Sequence, residues 1–203
     1  NIIDYNKILK DSKKEVCFDE KTESTVELEE LNYILNSRNK KFITIGRFSK
    51  EKGHERLIDA FEKLYQKDNS IYLIIIGGYG KEYRNILEKA QNLSCKDNLI
   101  IIKYVSNPYA ILKKCDYFIL PSFYEGFGIV IAEADILGKP VVATNIVGPA
   151  KFMQKYGGTL VENSEEGVYE GLKLLYEGKV KPMNVDFEKY NDEAIMEFEK
   201  LLK

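Results

Sequence analysis

Two glutamates, Glu125 and Glu133, and two cations, Arg47 and Lys52, have the types and spacing to do chemistry in this chain. The glutamates flank a glycine turn, Gly126-Phe127-Gly128, that leads into an apolar helix expected over Phe127–Leu137. Their backbones, eight positions apart, would lie on the order of 10 Å from each other at about 1.5 Å rise per residue. That is long for the close carboxylate pair of a retaining glycosidase and suits the two ends of one extended ligand. A capping role for Glu125 and a partnered core role for Glu133 compete with that reading. Glu133 sits mid-helix among Ile129, Val130, Ile131, Ala132, Ala134 and Ile136. It is therefore expected in or beside the core, where a carboxylate needs a partner such as a ligand hydroxyl.

Arg47 and Lys52 bracket the short loop Gly46-Arg-Phe-Ser-Lys-Glu-Lys-Gly53. Arginine supplies a fork and lysine a point charge, so both could offset the charge of a diphosphate. A solvated basic loop is the alternative in a chain with 30 Lys and Arg residues. Glycines 126 and 128 let a ligand approach backbone at a helix N-terminus, where free N–H groups hold phosphate. Gly77-Gly78-Tyr79-Gly80 is a weaker signal, equally a plain turn, and lacks the Gly-Lys-Ser/Thr ending of a phosphate-binding P-loop. His54 is the sole histidine and is read as helix-capping or surface packing. Asp135 is read as facing solvent at the far end of its helix. No Cys/His spacing has a metal pattern.

These residues need a scaffold, and the chain reads as one. Phe42–Ile45, Ile71–Ile76, Leu99–Lys103, Asp116–Leu120, Val141–Ala143 and Thr159–Val161 have strand character. Helical periodicity marks His54–Gln66, Lys81–Leu93, Pro108–Lys114, Glu165–Leu175 and Phe187–Leu202, with a loop around Val147-Gly-Pro149. Buried Ile/Val runs alternating with helices predict an α/β fold, a doubly wound parallel sheet covered on both faces. In such a sheet ligands lie beyond the carboxyl ends of the strands, where Gly46-Arg47, Gly77-Gly78, Tyr104-Val105 and Ser122–Gly128 all fall. Residues 1–40 read as a charged N-terminal junction segment, with helices at Tyr5–Lys14 and Val26–Arg38 and a short strand at Val16–Phe18. Residues 41–203 read as the ligand-binding domain.

Composition narrows the classes. A formal charge of −2 and pI near 5.7 give no basic field for nucleic acid. Three cysteines without metal spacing read as free, packed thiols in a reducing, cytoplasmic compartment. No apolar run reaches the roughly 20 residues of a membrane span.

The run Gly46–Gly53 with Leu57-Ile-Asp-Ala-Phe61, then Ile76–Gly80, then Asp116 through Pro140 to Thr144, resembles the C-terminal domain of retaining family 4 (group 1) glycosyltransferases of the GT-B fold. The central piece carries that family's two glutamates with seven residues between them. The resemblance implies transfer of a sugar from a nucleoside-diphosphate sugar to an acceptor hydroxyl, with retention and without a metal or other cofactor. It implies that Arg47 and Lys52 hold the diphosphate and stabilise the leaving group, while Glu125 contacts the donor sugar and Glu133 the ribose. Gly46, Gly78, Gly126 and the backbone of Phe127, Gly128 and Ile129 would line the donor site, with Tyr104 and Val105 beside the base. Asn1-Ile-Ile-Asp4 is similar to the family's junction ahead of the donor domain, so an N-terminal acceptor-binding domain is an expected partner. Any membrane association would be peripheral and come through the full-length protein. Phe187-Glu-Lys-Tyr-Asn191 is similar to bacterial enzymes of surface-polymer synthesis. A non-catalytic nucleotide-sugar-binding or regulatory module is the alternative, and an epimerase or phosphorylase sharing the fold is a third reading.

Overall fold

The computed structural model describes residues 2–201; the junction reading at Asn1 and the helix end at Leu202 lie outside them. Seven strands form one sheet: β1 (Glu23–Ser24), β2 (Lys41–Ile45), β3 (Tyr72–Gly77), β4 (Leu99–Lys103), β5 (Tyr117–Leu120), β6 (Val141–Thr144) and β7 (Thr159–Val161). Their order is β1-β4-β3-β2-β5-β6-β7, all parallel except the short edge strand β1, which runs antiparallel to β4. The strand order reverses between β2 and β5, which makes the gap above their carboxyl ends the topological switch point.

Strand period explains the two cores. Along β3, Leu73 and Ile75 face one side, and Ile74 and Ile76 the other. One core receives α3 (His54–Tyr65), α4 (Tyr83–Gln91) and α8 (Glu165–Tyr176) through Leu57, Ile86 and Leu172. The opposite core receives α1 (Tyr5–Asp11), α2 (Leu28–Asn36), α5 (Pro108–Lys114), α6 (Ile129–Ile136) and α7 (Val147–Tyr156), closed by Phe187 of α9 (Phe187–Leu201). Both faces of the sheet are dry, so its strands are apolar runs rather than alternating ones. Among the described residues no helix is long and apolar enough to cross a membrane.

Several local expectations are corrected. Within the charged segment 1–40 the helices read at Tyr5–Lys14 and Val26–Arg38 are found as α1 and α2, and Ile3, Ile8, Val16, Leu31, Ile34 and Leu35 join the core. The segment's strand lies at Glu23–Ser24, not Val16–Phe18, because only there does the chain reach the β4 edge. Val147-Gly-Pro149 opens helix α7 rather than a loop. Proline is tolerated in a first helical turn, where its missing N–H has no intrahelical partner anyway. Helix α6 starts at Ile129, two residues later than the apolar pattern suggested, because Gly128 before it has φ 73°. Cys95 and Cys115 are packed, whereas Cys17 is exposed.

Candidate functional site

The loop after β2 and the turn after β5 are locked together across the switch point. Gly53 has φ 67°, and a Cβ there would stand 2.0 Å from the Pro121 carbonyl oxygen, so only glycine permits this approach. The Phe123 N–H donates to the Glu51 carbonyl at 2.8 Å, adding a backbone tie between the same segments. The consequence is a contact between residues 73 apart: Lys52 Nζ lies 2.5 Å from Glu125 Oε1. Their side chains are only 15% and 12% exposed. Ser122 Oγ reaches the same carboxylate oxygen at 3.2 Å, and Thr144 Oγ1 holds the Ser122 carbonyl at 2.6 Å.

Lys52 joins two clefts. Its stem packs over Gly46, where a Cβ would meet Lys52 Cδ at 3.4 Å. Gly46, with Arg47, Gly77, Gly78, Tyr104 and Val105, lines a cleft of about 290 Å³. The carboxylate that Lys52 grips lines a second, about 480 Å³, with Phe123, Tyr124, Asn145 and Val147. A Cβ at Gly78 or Gly126 would meet nothing within 4 Å, so these glycines leave backbone open to a ligand. Arg47 is exposed, with Nη2 3.5 Å from Glu51 Oε1, a contact weak enough for a bound anion to replace.

Helix α6 begins beside this pair. Gly128 in the left-handed region turns the chain into it, and no side chain caps its first N–H groups. One turn on, Glu133 is half-buried and accepts one protein hydrogen bond, from the Tyr109 hydroxyl at 2.9 Å. Burial pushes the Glu133 carboxyl above the usual carboxylate range, and the Tyr109 bond partly offsets this. Burial, and then the neighbouring Glu133, raise the Tyr109 phenol. Tyr109 was not singled out in the sequence. It lies 24 positions from Glu133, so no spacing links them, and Pro108 marks only a helix start.

Two further expectations change. Asp135 does not face solvent: it is 4% exposed and accepts the N–H groups of Met183, Asn184 and Val185 at 2.8, 3.0 and 2.8 Å. It pins the segment that leads to α9. His54 is 2% exposed rather than at the surface. Its Nε2 faces the carbonyls of Gly46 and Arg47 at 3.2 and 3.0 Å and so carries the proton. Burial pushes its ring below the usual histidine range, favouring the neutral form. Tyr104, at φ 65°, follows β4 and with Val105 lines the smaller cleft. Phe127 packs edge-on against Phe152, and Ile129 is partly exposed at the helix start.

The fold has counterparts among known proteins. The capsular polysaccharide biosynthesis glycosyltransferase CapM of Staphylococcus aureus is 31% identical over 156 residues, 75% of this chain and 37% of CapM. A Campylobacter jejuni enzyme is 30% identical over 144 residues, 69% of this chain and 38% of its own length. It is named N-acetylgalactosamine-N,N'-diacetylbacillosaminyl-diphospho-undecaprenol 4-alpha-N-acetylgalactosaminyltransferase. A mutant S. aureus TarM, solved in complex with fondaparinux, alpha-GlcNAc-glycerol and UDP, superposes with TM-score 0.60 at 25% identity, over 78% of this chain and 32% of TarM. The chain thus spans under two-fifths of the length of these relatives. The profile of "Glycosyl transferases group 1" matches residues 29–194, and the chain belongs to that family.

Proposed function

We propose that this chain is the donor-binding half of a retaining glycosyltransferase that uses a nucleoside-diphosphate sugar, in the synthesis of a bacterial surface or cell-wall polymer. The observation that carries the reading is the Lys52–Glu125 pair, which joins the cleft of Gly46, Arg47 and Gly78 to the cleft beside Tyr124 and Val147. The base would rest near Tyr104 and Val105, with the ribose on Glu133. Arg47, Lys52 and the free N–H groups of Phe127, Gly128 and Ile129 would hold the diphosphate, and Glu125 the sugar. Names of relatives that act on capsule or lipid-linked glycans, and the UDP bound to TarM, support the substrate class.

The chemistry asks for stabilisation of negative charge as the anomeric C–O bond to the diphosphate breaks. Cations and helix N–H dipoles fixed in a partly desolvated cleft provide it with little reorganisation. Lys52 holds its charge against Glu125 before ligand arrives. Glu125, oriented by Lys52 and Ser122, would accept sugar hydroxyls. The acceptor would be bound by the N-terminal domain that such enzymes carry, closing over this edge of the sheet.

Calorimetric titration with UDP, GDP, ADP and CDP tests the reading. One diphosphate should bind, with Glu133→Gln weakening it. Arg47→Ala should weaken diphosphates more than nucleosides, and equal diphosphate affinity in that variant and the parent would refute the phosphate assignment.

A further inference from the structure

The turn that carries Glu125 is held by side chains at three successive carbonyls. Arg56 Nε donates to Pro121 at 2.8 Å, Thr144 Oγ1 to Ser122 at 2.6 Å and, more loosely, Asn163 Nδ2 to Phe123 at 3.5 Å. Two of these ties depend on one residue, because Arg56 Nη2 also donates to Asn163 Oδ1 at 2.8 Å. Arg56 Cζ lies 3.6 Å from the centre of the Phe123 ring, so the guanidinium face bears on that side chain as well. A single guanidinium thereby fixes positions 121 and 123, just ahead of Glu125.

Arg56 comes from the segment of the other partner. It stands in the first turn of α3, directly after Lys52 and the close approach of Gly53 to Pro121. Its fork therefore spans from the element that follows Lys52 to the turn that precedes Glu125. Burial makes it a costly residue for holding a turn. Arg56 is 4% exposed. Desolvation pushes its guanidinium down to about 10, with the field of Glu165 working the other way. Nη1 is buried without a protein partner. An apolar side chain of similar volume would avoid that cost. It could not hold two oxygens and a ring in one plane, which the five donors and flat face of arginine do. Placement has consequences out of proportion to stability, since a shift of about 1 Å caused from outside a site can slow chemistry by about 100-fold.

We infer that Arg56 is a positioning residue: it braces the Pro121–Glu125 turn against α3, so that Glu125 meets Lys52 and keeps its place for the donor sugar. The inference rests on the donor reading, in which Glu125 receives the sugar, and Arg56 acts through the turn rather than on the ligand.

Urea unfolding of the 203-residue chain tests the brace through double-mutant cycles. The cycle of Lys52→Ala and Glu125→Ala is measured in the parent, in Arg56→Lys and in Asn163→Ala. A lysine ammonium cannot hold both oxygens and stack as a plane. Asn163 is exposed, so its variant carries the test if Arg56→Lys does not fold. The coupling constant of the pair should fall at least about fivefold in Arg56→Lys and about twofold in Asn163→Ala. A role confined to stability would lower the unfolding midpoint and leave the coupling as it is. Calorimetry then compares UDP with UDP-glucose, GDP with GDP-mannose and ADP with ADP-glucose. Arg56→Lys should weaken the sugar nucleotide at least about threefold more than its diphosphate, and should add nothing to that gap once Glu125 is replaced by alanine. No coupling in the parent, coupling equal to the parent's in both variants, or an unchanged ratio of sugar-nucleotide to diphosphate affinity overturns the positioning role. If a diphosphate binds and the coupling stays whole, the brace fails and the donor reading stands. If the coupling falls and no nucleotide binds, the brace belongs to the fold alone, and the donor reading fails together with the sugar role.

Discussion

Glu133 and Asp135 lie two residues apart on α6, both within the protein, and meet opposite environments. Asp135 has its carboxylate filled by three backbone N–H groups from the 183–185 segment. Glu133 has one neutral donor, Tyr109, and burial works against its charge. Successive helical residues two apart point to different sides, so one acid is filled by the fold while the other keeps acceptor capacity, which the proposed function assigns to a ligand. A saturated buried carboxylate is a structural element. A half-satisfied buried one costs stability.

The largest expected effect comes from breaking the saturated side. Asp135→Ala strands three backbone donors and should cost about 3–5 kcal/mol, lowering Tm by roughly 10 °C for a chain of this size. A loss under about 1 kcal/mol in urea unfolding would mean that those bonds contribute little. Asp135→Asn, which keeps an acceptor oxygen, should lose less.

Next in size is Lys52→Ala. It leaves Glu125 nearly buried and unpaired, at about 3 kcal/mol in stability, and should weaken diphosphate binding tenfold or more. Adding Glu125→Ala should recover much of the stability and none of the affinity. A double-mutant cycle showing no coupling between the two positions would remove the pair from the account.

Glu133→Gln sharpens the comparison because its two effects have opposite signs. Nucleoside diphosphate affinity should fall about tenfold, or 1.4 kcal/mol, while the unliganded chain gains up to about 1 kcal/mol at neutral pH by losing a desolvated charge. The pH dependence fixes the sign. Below the ordinary glutamate value near 4.5 both folded and unfolded chains are protonated at this site. As pH rises, the unfolded chain ionises first and the folded one holds its proton, so this group's contribution to stability falls until the raised folded value is passed. Difference curves of parent minus Glu133→Gln should slope downward over that window, and a flat curve would contradict the burial effect.

The smallest effect is expected from Tyr109→Phe, about 0.5–1 kcal/mol in stability with the Glu133 carboxyl moved further up. Carboxyl ¹³C titration would follow it, and an unmoved Glu133 would show that Tyr109 does not hold the charged form.

Much of the scaffold was legible in advance. The strands at Leu99–Lys103 and Thr159–Val161 and the helix at Pro108–Lys114 fall where the pattern put them, because buried parallel strands and amphipathic helices write their periods into neighbouring residues. The placement of Gly46, Gly78, Tyr104 and the Ser122–Gly128 turn at strand ends was legible for the same reason, since each follows a strong strand. What failed was local sequence without periodic burial. In the charged 1–40 segment both helices fall where they were read but the strand lies at Glu23–Ser24 rather than Val16–Phe18, and Val147-Gly-Pro149 looks like a turn until its neighbours shape it into α7.

The sequence by itself determined the doubly wound sheet, the glycine turns at its carboxyl edge and the pairing in type of two acids with two cations, since these depend on residue identity and short-range repeats. Only the tertiary structure decided that Lys52 meets Glu125, that Tyr109 meets Glu133, that Asp135 turns inward, and that His54 is buried. Such outcomes depend on which groups the packing brings together, Lys52 and Glu125 across 73 positions and Tyr109 and Glu133 across 24, and no short-range pattern carries those distances.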